Sequence, residues 1–142
     1  MSVKNLFDLS GKVALITGGS RGLGLQMAEA LGEMGAKVAI TARKADELKE
    51  AEAHLKARGI EVLTVTNDLS KFEQIPGMVD AVVAKFGTID ILVNNAGATW
   101  GAPAEDYPLE AWDKVMNLNI RSIFLMSQQI GKRSMIPRKR GR

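Results

Sequence analysis

The residues with the most chemical potential gather in one short stretch, Thr17-Gly18-Gly19-Ser20-Arg21-Gly22-Leu23-Gly24. It follows an apolar run and opens what reads as a helix. Glycine lets the backbone turn sharply and approach a ligand with no Cβ in the way. A helix N-terminus adds unsatisfied N–H groups and a partial positive charge. Together these suit a phosphate group. A purely structural tight turn would use the same residues, so their place in the fold matters more than their spacing. Three further polar groups also follow apolar runs: Arg43 beside Ala42, Asp68 with Leu69, and Asn94-Asn95-Ala96-Gly97. Cysteine is absent, which removes disulfides and thiolate metal sites, and no metal is expected.

These residues need elements to position them, and the pattern supplies a regular series. Residues 12–17, 37–41, 61–65 and 89–94 read as strands, each a short apolar run bounded by turn or polar residues. Between them lie helices. Leu23, Met27, Leu31 and Met34 fall at helical spacing before Gly35, and Leu48, Ala51 and Leu55 before Gly59. In the third helix Phe72, Ile75, Val79, Val82 and Phe86 form the stripe. Ser70 and Glu73 have capping-box spacing, and Pro76-Gly77 predicts a kink or restart. Pro108 opens a long final helix, 108–134, whose inward face is predicted as Leu109, Trp112, Met116, Asn119, Ile123, Ser127 and Ile130, ending near Pro137. Strands apolar throughout and alternating with helices predict an α/β fold, a Rossmann-type doubly wound parallel sheet, in a single domain over 1–142. The glycine loop then falls at the first strand-to-helix turn, the context that favours phosphate binding over a plain turn.

At 142 residues, with 46% hydrophobic and 25% charged, a buried core is expected. No segment has the roughly 20 apolar residues of a membrane span, and the N-terminus lacks a signal-peptide pattern, so a cytoplasmic location is the default. The net charge of +3 is misleading as a whole. Residues 132–142 carry six basic groups and no acid, whereas residues 1–131 hold 13 basic against 16 acidic. A nucleic-acid role through the basic segment is the weaker reading, since no aromatic residues interleave it.

The pairing of T-G-x-x-x-G-x-G at Thr17–Gly24 with Asn94-Asn95-Ala96-Gly97, supported by Asn67-Asp68-Leu69 and by "WDKVMNLNI" (112–120), resembles the short-chain dehydrogenase/reductase family. The resemblance covers the whole chain and is nearest to the gluconate 5-dehydrogenase and 3-oxoacyl-carrier-protein reductase members. It implies hydride transfer between a nicotinamide and a carbonyl or alcohol, with a small-molecule substrate and a homo-oligomeric assembly. It implies cofactor contacts from Thr17, Gly18, Ser20, Arg21, Gly22, Leu23 and Gly24, with Gly18, Gly22 and Gly24 around the pyrophosphate. Asp68 would meet the adenine, with Leu69 beside it. Asn94, Ala96 and Gly97 would line the ribose and nicotinamide side, and Asn119 would be the catalytic asparagine that holds a relay water. Two alternatives stay open: a strand-end turn for Asn94 and Asn95, and a buried asparagine bonded to backbone for Asn119.

A carboxylate after the second strand normally grips the ribose 2′-OH of NAD. Here Ala42 and Arg43 stand at that place, and a guanidinium pairs with a 2′-phosphate instead. Arg21 offers a second guanidinium, whereas Asp46 and Glu47 suit the dipole of the next helix. NADP is therefore expected, with NAD as the alternative; the plainer reading of both arginines is as exposed loop residues. The family's tyrosine, its lysine four residues on and its serine have no counterpart. The single tyrosine, Tyr107, is followed four residues later by Ala111. They would follow a fifth strand, so this chain is expected to be the cofactor half, inactive alone, with "IDILVN" as a bare sheet edge. A dinucleotide-binding module without catalysis is the other reading.

Overall fold

The computed structural model describes residues 2–142. Its sheet has four parallel strands, β1 (Val13–Thr17), β2 (Lys37–Ala42), β3 (Val62–Thr66) and β4 (Ile91–Val93), in the order β3-β2-β1-β4. Ile16 pairs with Ile40 on one side and Val93 on the other, and Ile40 pairs with Thr64. Helices α1 (Gly22–Glu33) and α2 (Ala45–Lys56) cover one face; α3 (Ile75–Phe86) and the long C-terminal helical rod cover the other. The expected doubly wound α/β sheet is present.

Alternation along β1 explains the two cores. Val13 and Leu15 point toward Val79, Val82, Met126 and Ile130, while Ala14 and Ile16 point toward Ala28, Leu48 and Leu55. Both sets are almost fully buried, as expected of strands apolar on both faces. Each fully buried leucine or isoleucine contributes about 1.5–3 kcal/mol.

The stripe of α1 differs from expectation. Leu23 and Met34 are exposed, and the covered positions begin at Gly24 and Ala28. Glycine and alanine win the inward places because the helix runs close over the glycine loop. The third helix restarts where Pro76 predicts: a 3₁₀ turn at Phe72–Gln74 comes first, and Pro76 then lies in the first turn of α3. The capping box does not form, because the Ser70 hydroxyl donates to Asp68 at 2.7 Å.

The C-terminal rod departs most. It comprises α4 (Leu109–Met116), a π turn at Asn117–Arg121, α5 (Ser122–Ile130), a second π turn at Gly131–Met135 and a last turn at Ile136–Arg138. Its buried residues are Ala111, Ser122, Met126, Ile130 and Ser134, four apart from 122 onward, with Leu118 half-buried one step before. A four-residue repeat drifts by about 40° per turn on a regular helix, and the wider π turns take up that drift. The second wide turn also precedes Pro137, which cannot make the regular bond. Of the predicted face, Ile130 is buried, but Leu109, Trp112 and Met116 are exposed, joined by Ile120 and Phe124.

The basic segment is partly neutralised within the fold. Arg133 pairs with Asp80 and Arg138 with Asp90, both at 2.6 Å. Nor is the outer edge of β4 bare: the backbone of Arg142 donates to Asp90 and accepts from Leu92, each at 2.9 Å. The expectation of a wholly open edge is corrected there.

Candidate functional site

The strand order reverses between β1 and β4, so the loops at their carboxyl ends face each other across a crevice. In open α/β sheets this is where ligands bind. The glycine loop leaves β1, and Asn94-Asn95-Ala96-Gly97 leaves β4.

Asn95 locks the two together. Its side-chain Nδ2 donates to the carbonyls of Thr17 and Gly18, both at 3.1 Å. The Thr17 hydroxyl accepts the backbone N–H groups of Asn95 and Ala96, also at 3.1 Å, and reaches the Val93 carbonyl. Thr17 is thus buried and fully engaged with backbone. This bridging role of Asn95 stands beside the cofactor contact that the resemblance implies for Asn94; the doubled asparagine is the signal for it in the sequence.

The glycines divide by role. A Cβ on Gly24 would collide with the carbonyl of Gly18, and one on Gly19 would lie 2.7 Å from Ile40 Cβ. Gly24 lets α1 sit against the loop, and Gly19 lets the loop pass close to β2. Gly18 and Gly22 adopt positive φ, 64° and 56°, and no atom lies within 4 Å of a Cβ built on Gly22. The opening turn of α1 therefore offers a left-handed backbone beside free space, flanked by the exposed Leu23. That cradle fits a phosphate group on backbone N–H donors.

Beyond β2 and β3 lies a cleft of about 630 Å³ bordered by Arg43, Asn67, Asp68, Lys71 and Gln74. The Ser70 hydroxyl holds the Asp68 carboxyl below its ordinary range, with the Ser70 N–H and the charge of Arg43 adding to it. Leu69 is buried in the core beneath. Gln74 Oε1 accepts the Asp68 N–H at 3.1 Å. Ser20, Arg21 and Lys44 all reach Glu47 at the start of α2.

A second cleft, about 330 Å³, brings Ala96, Gly97 and Asn119 together. Asn119 accepts from the Ala98 N–H and donates to the Ala98 carbonyl, both at 2.8 Å. In this structure the half-buried side chain clamps the loop. The π turn at Asn117–Arg121 aims it there. The side chain of Arg43 makes no ion pair among the described residues.

A family model described as "short chain dehydrogenase" matches residues 12–142. The chain belongs to the short-chain dehydrogenase family. It is 39% identical, over all 142 residues and 55% of the relative, to gluconate 5-dehydrogenase of Gluconobacter oxydans. It is 43% identical over 87% of its length, and 48% of the relative, to the rhamnolipid-biosynthesis 3-oxoacyl-acyl-carrier-protein reductase of Pseudomonas aeruginosa. Among solved structures it resembles a metagenomic short-chain oxidoreductase in complex with NADP, with a TM-score of 0.89 at 38% identity over 94% of this chain and 61% of that one. It also resembles an NAD⁺-bound xylitol dehydrogenase, with a TM-score of 0.88 at 34% identity over 93% of this chain and 51% of that one. The chain spans about half the length of the curated relatives it matches. The similar solved structures thus include complexes with either nicotinamide cofactor.

Proposed function

We propose that residues 1–142 are the dinucleotide-binding part of an NADP-dependent oxidoreductase acting on a small carbonyl or alcohol. The observation that carries this is the Asn95 lock, which sets the open cradle at Gly22 opposite the turn after β4. In this reading Gly18, Gly22 and Gly24 shape the pyrophosphate cradle, Asp68 meets the adenine, and Asn94, Ala96 and Gly97 border the ribose and nicotinamide. Asn119 fixes the backbone of that border. The cofactor supplies the hydride; the chain binds and orients it. Arg43 and Arg21 favour the 2′-phosphate, in line with the NADP complex of a structural relative and against the NAD⁺ complex of another.

The full chain is expected to bind NADPH more tightly than NADH in a fluorescence titration. Arg43→Ala removes a charge-assisted contact of about 1.5–3 kcal/mol, so NADPH affinity falls about tenfold or more while NADH is little changed. Equal affinities in the unsubstituted chain overturn the cofactor choice. In the same material no ketone or aldehyde is expected to turn over, because no tyrosine–lysine pair is present to donate the proton. A cytoplasmic location belongs to the same reading; among the described residues no helix is long and apolar enough to cross a membrane.

A second copy of the chain is the proposed occupant of the exposed face formed by Leu109, Trp112, Met116, Ile120 and Phe124. An apolar hollow of about 480 Å³ between Tyr107 and Trp112 continues it. Large exposed apolar patches mark association sites. Sedimentation is expected to show a concentration-dependent dimer or higher species that Phe124→Asp shifts toward monomer. A monodisperse monomer at every concentration contradicts the assembly.

A further inference from the structure

Glu47 has surroundings beyond the helix dipole that its position in the sequence suggests. Its side chain is only 25% exposed. Lys44 Nζ stands 2.9 Å from Oε1, the Ser20 hydroxyl donates to Oε2 at 3.2 Å, and Arg21 Nε lies 3.9 Å from Oε2. Ser20 and Arg21 belong to the glycine loop; Lys44 is adjacent to Arg43. One carboxylate therefore ties the two loops whose cations favour a 2′-phosphate, and it neutralises one of their three positive charges.

We propose that Glu47 is a specificity-determining residue, an internal counter-anion that sets how strongly the chain prefers a 2′-phosphorylated adenine nucleotide. The inference rests on the NADP reading above. A carboxylate and a phosphate compete for the same guanidinium and ammonium donors. A phosphate arriving at these cations must displace the carboxylate from them or share them with it at a repulsive distance. A nucleotide with a free 2′-OH brings no such charge to this corner and is indifferent to Glu47. The hydrogen bond from Lys44, followed by that from Ser20, holds the carboxyl below its ordinary range, so it remains an anion at neutral pH.

Glu47→Gln isolates the charge, since the amide keeps an oxygen for Ser20 or Lys44. Adenosine 2′,5′-bisphosphate and 5′-AMP differ only in the 2′-phosphate, and titration of the full chain with each gives the selectivity ratio directly. Glu47→Gln is expected to raise the ratio in favour of the bisphosphate by about three- to tenfold at low salt, the range for partly exposed charges. The affinity for 5′-AMP stays within about twofold, and the gain shrinks at about 0.5 M salt, where screening reaches only a few ångström. Glu47→Asp, which retains the charge, keeps the ratio near that of the unsubstituted chain, a result a merely structural role would not give. If Glu47→Gln lowers the unfolding midpoint, Glu47→Ala and Glu47→Asp are read by the same ratio. A chain that prefers the bisphosphate, with a ratio unmoved or lowered by loss of the charge, overturns this inference alone. A chain with no preference for the 2′-phosphate overturns the NADP reading and this inference with it.

Discussion

Replacing Gly24 by alanine is expected to abolish nucleotide binding and to lower stability by about 3 kcal/mol, the upper end for an overpacked site. An added Cβ meets the carbonyl of Gly18 and lies 2.6 Å from Asn95 Nδ2. Neither neighbour yields easily. The Gly18 carbonyl accepts from Asn95 at 3.1 Å, and Asn95 is held in turn by Thr17. Relief requires α1 to lift from the loop, which breaks the lock between the β1 and β4 loops and spoils the cradle at Gly22. Two other glycines separate this cause from glycine loss in general. Gly22→Ala meets no atom but must hold a φ of 56°, costing about 1–2 kcal/mol of backbone strain. Gly77→Ala in α3 meets no atom and has no such φ, so it is expected to stabilise by about 0.5–1 kcal/mol. Thermal unfolding and NADPH titration of the three variants check the order. A Gly24→Ala chain that binds as before would show that the loop is not held by this contact.

Asp90→Ala is expected to cost about 3 kcal/mol, the low end for breaking a buried pair. That corresponds to roughly 10 °C in the midpoint for a domain of this size. Asp90 is 4% exposed. One oxygen accepts the Val13 N–H at 3.0 Å, and the other accepts from Arg138 at 2.6 Å. Arg138 also donates to Thr88, and Ser134 bonds both backbone groups of Ile89. Removing the carboxylate strands a buried N–H and a charged guanidinium at once. The guanidinium is about a third exposed, so water replaces part of its loss. Asp80→Ala is the comparison. Its pair with Arg133 is equally short, but Asp80 is 65% exposed, and a surface pair contributes only about 0–1 kcal/mol. Equal midpoints for the two variants would show that burial does not set the strength of these pairs.

The alternation of apolar strands with helices was legible in the sequence, because sheets and helices impose different periods on buried residues. Leu48, Ala51 and Leu55 are all buried, as their spacing required. The long helix was not legible in the same way. Its covered residues recur every fourth position, and a period of 3.6 placed Trp112 and Met116 inward where they are exposed. The small inward side chains of Ala111, Ser122 and Ser134 carry no hydrophobic signal, yet they let the rod approach its neighbours.

By itself, the sequence determined the order of the elements, the glycine turn after the first strand and the motif pair that marks the family. The elements, the turn and each motif of the pair depend on residues near one another in the chain, where spacing and backbone preference act directly. Only the tertiary structure decided that Asn95 rather than Asn94 bridges the loops, that Asn119 clamps Ala98, that Asp90 receives Arg138, and that Glu47 gathers Ser20, Arg21 and Lys44. These partners are mostly separated by 20 residues or more. Each contact exists because the parallel sheet gathers like strand ends together, the carboxyl ends for Asn95, Asn119 and Glu47 and the amino ends for Asp90, where a polar group losing water must find whichever partner the topology places near hydrogen-bond distance.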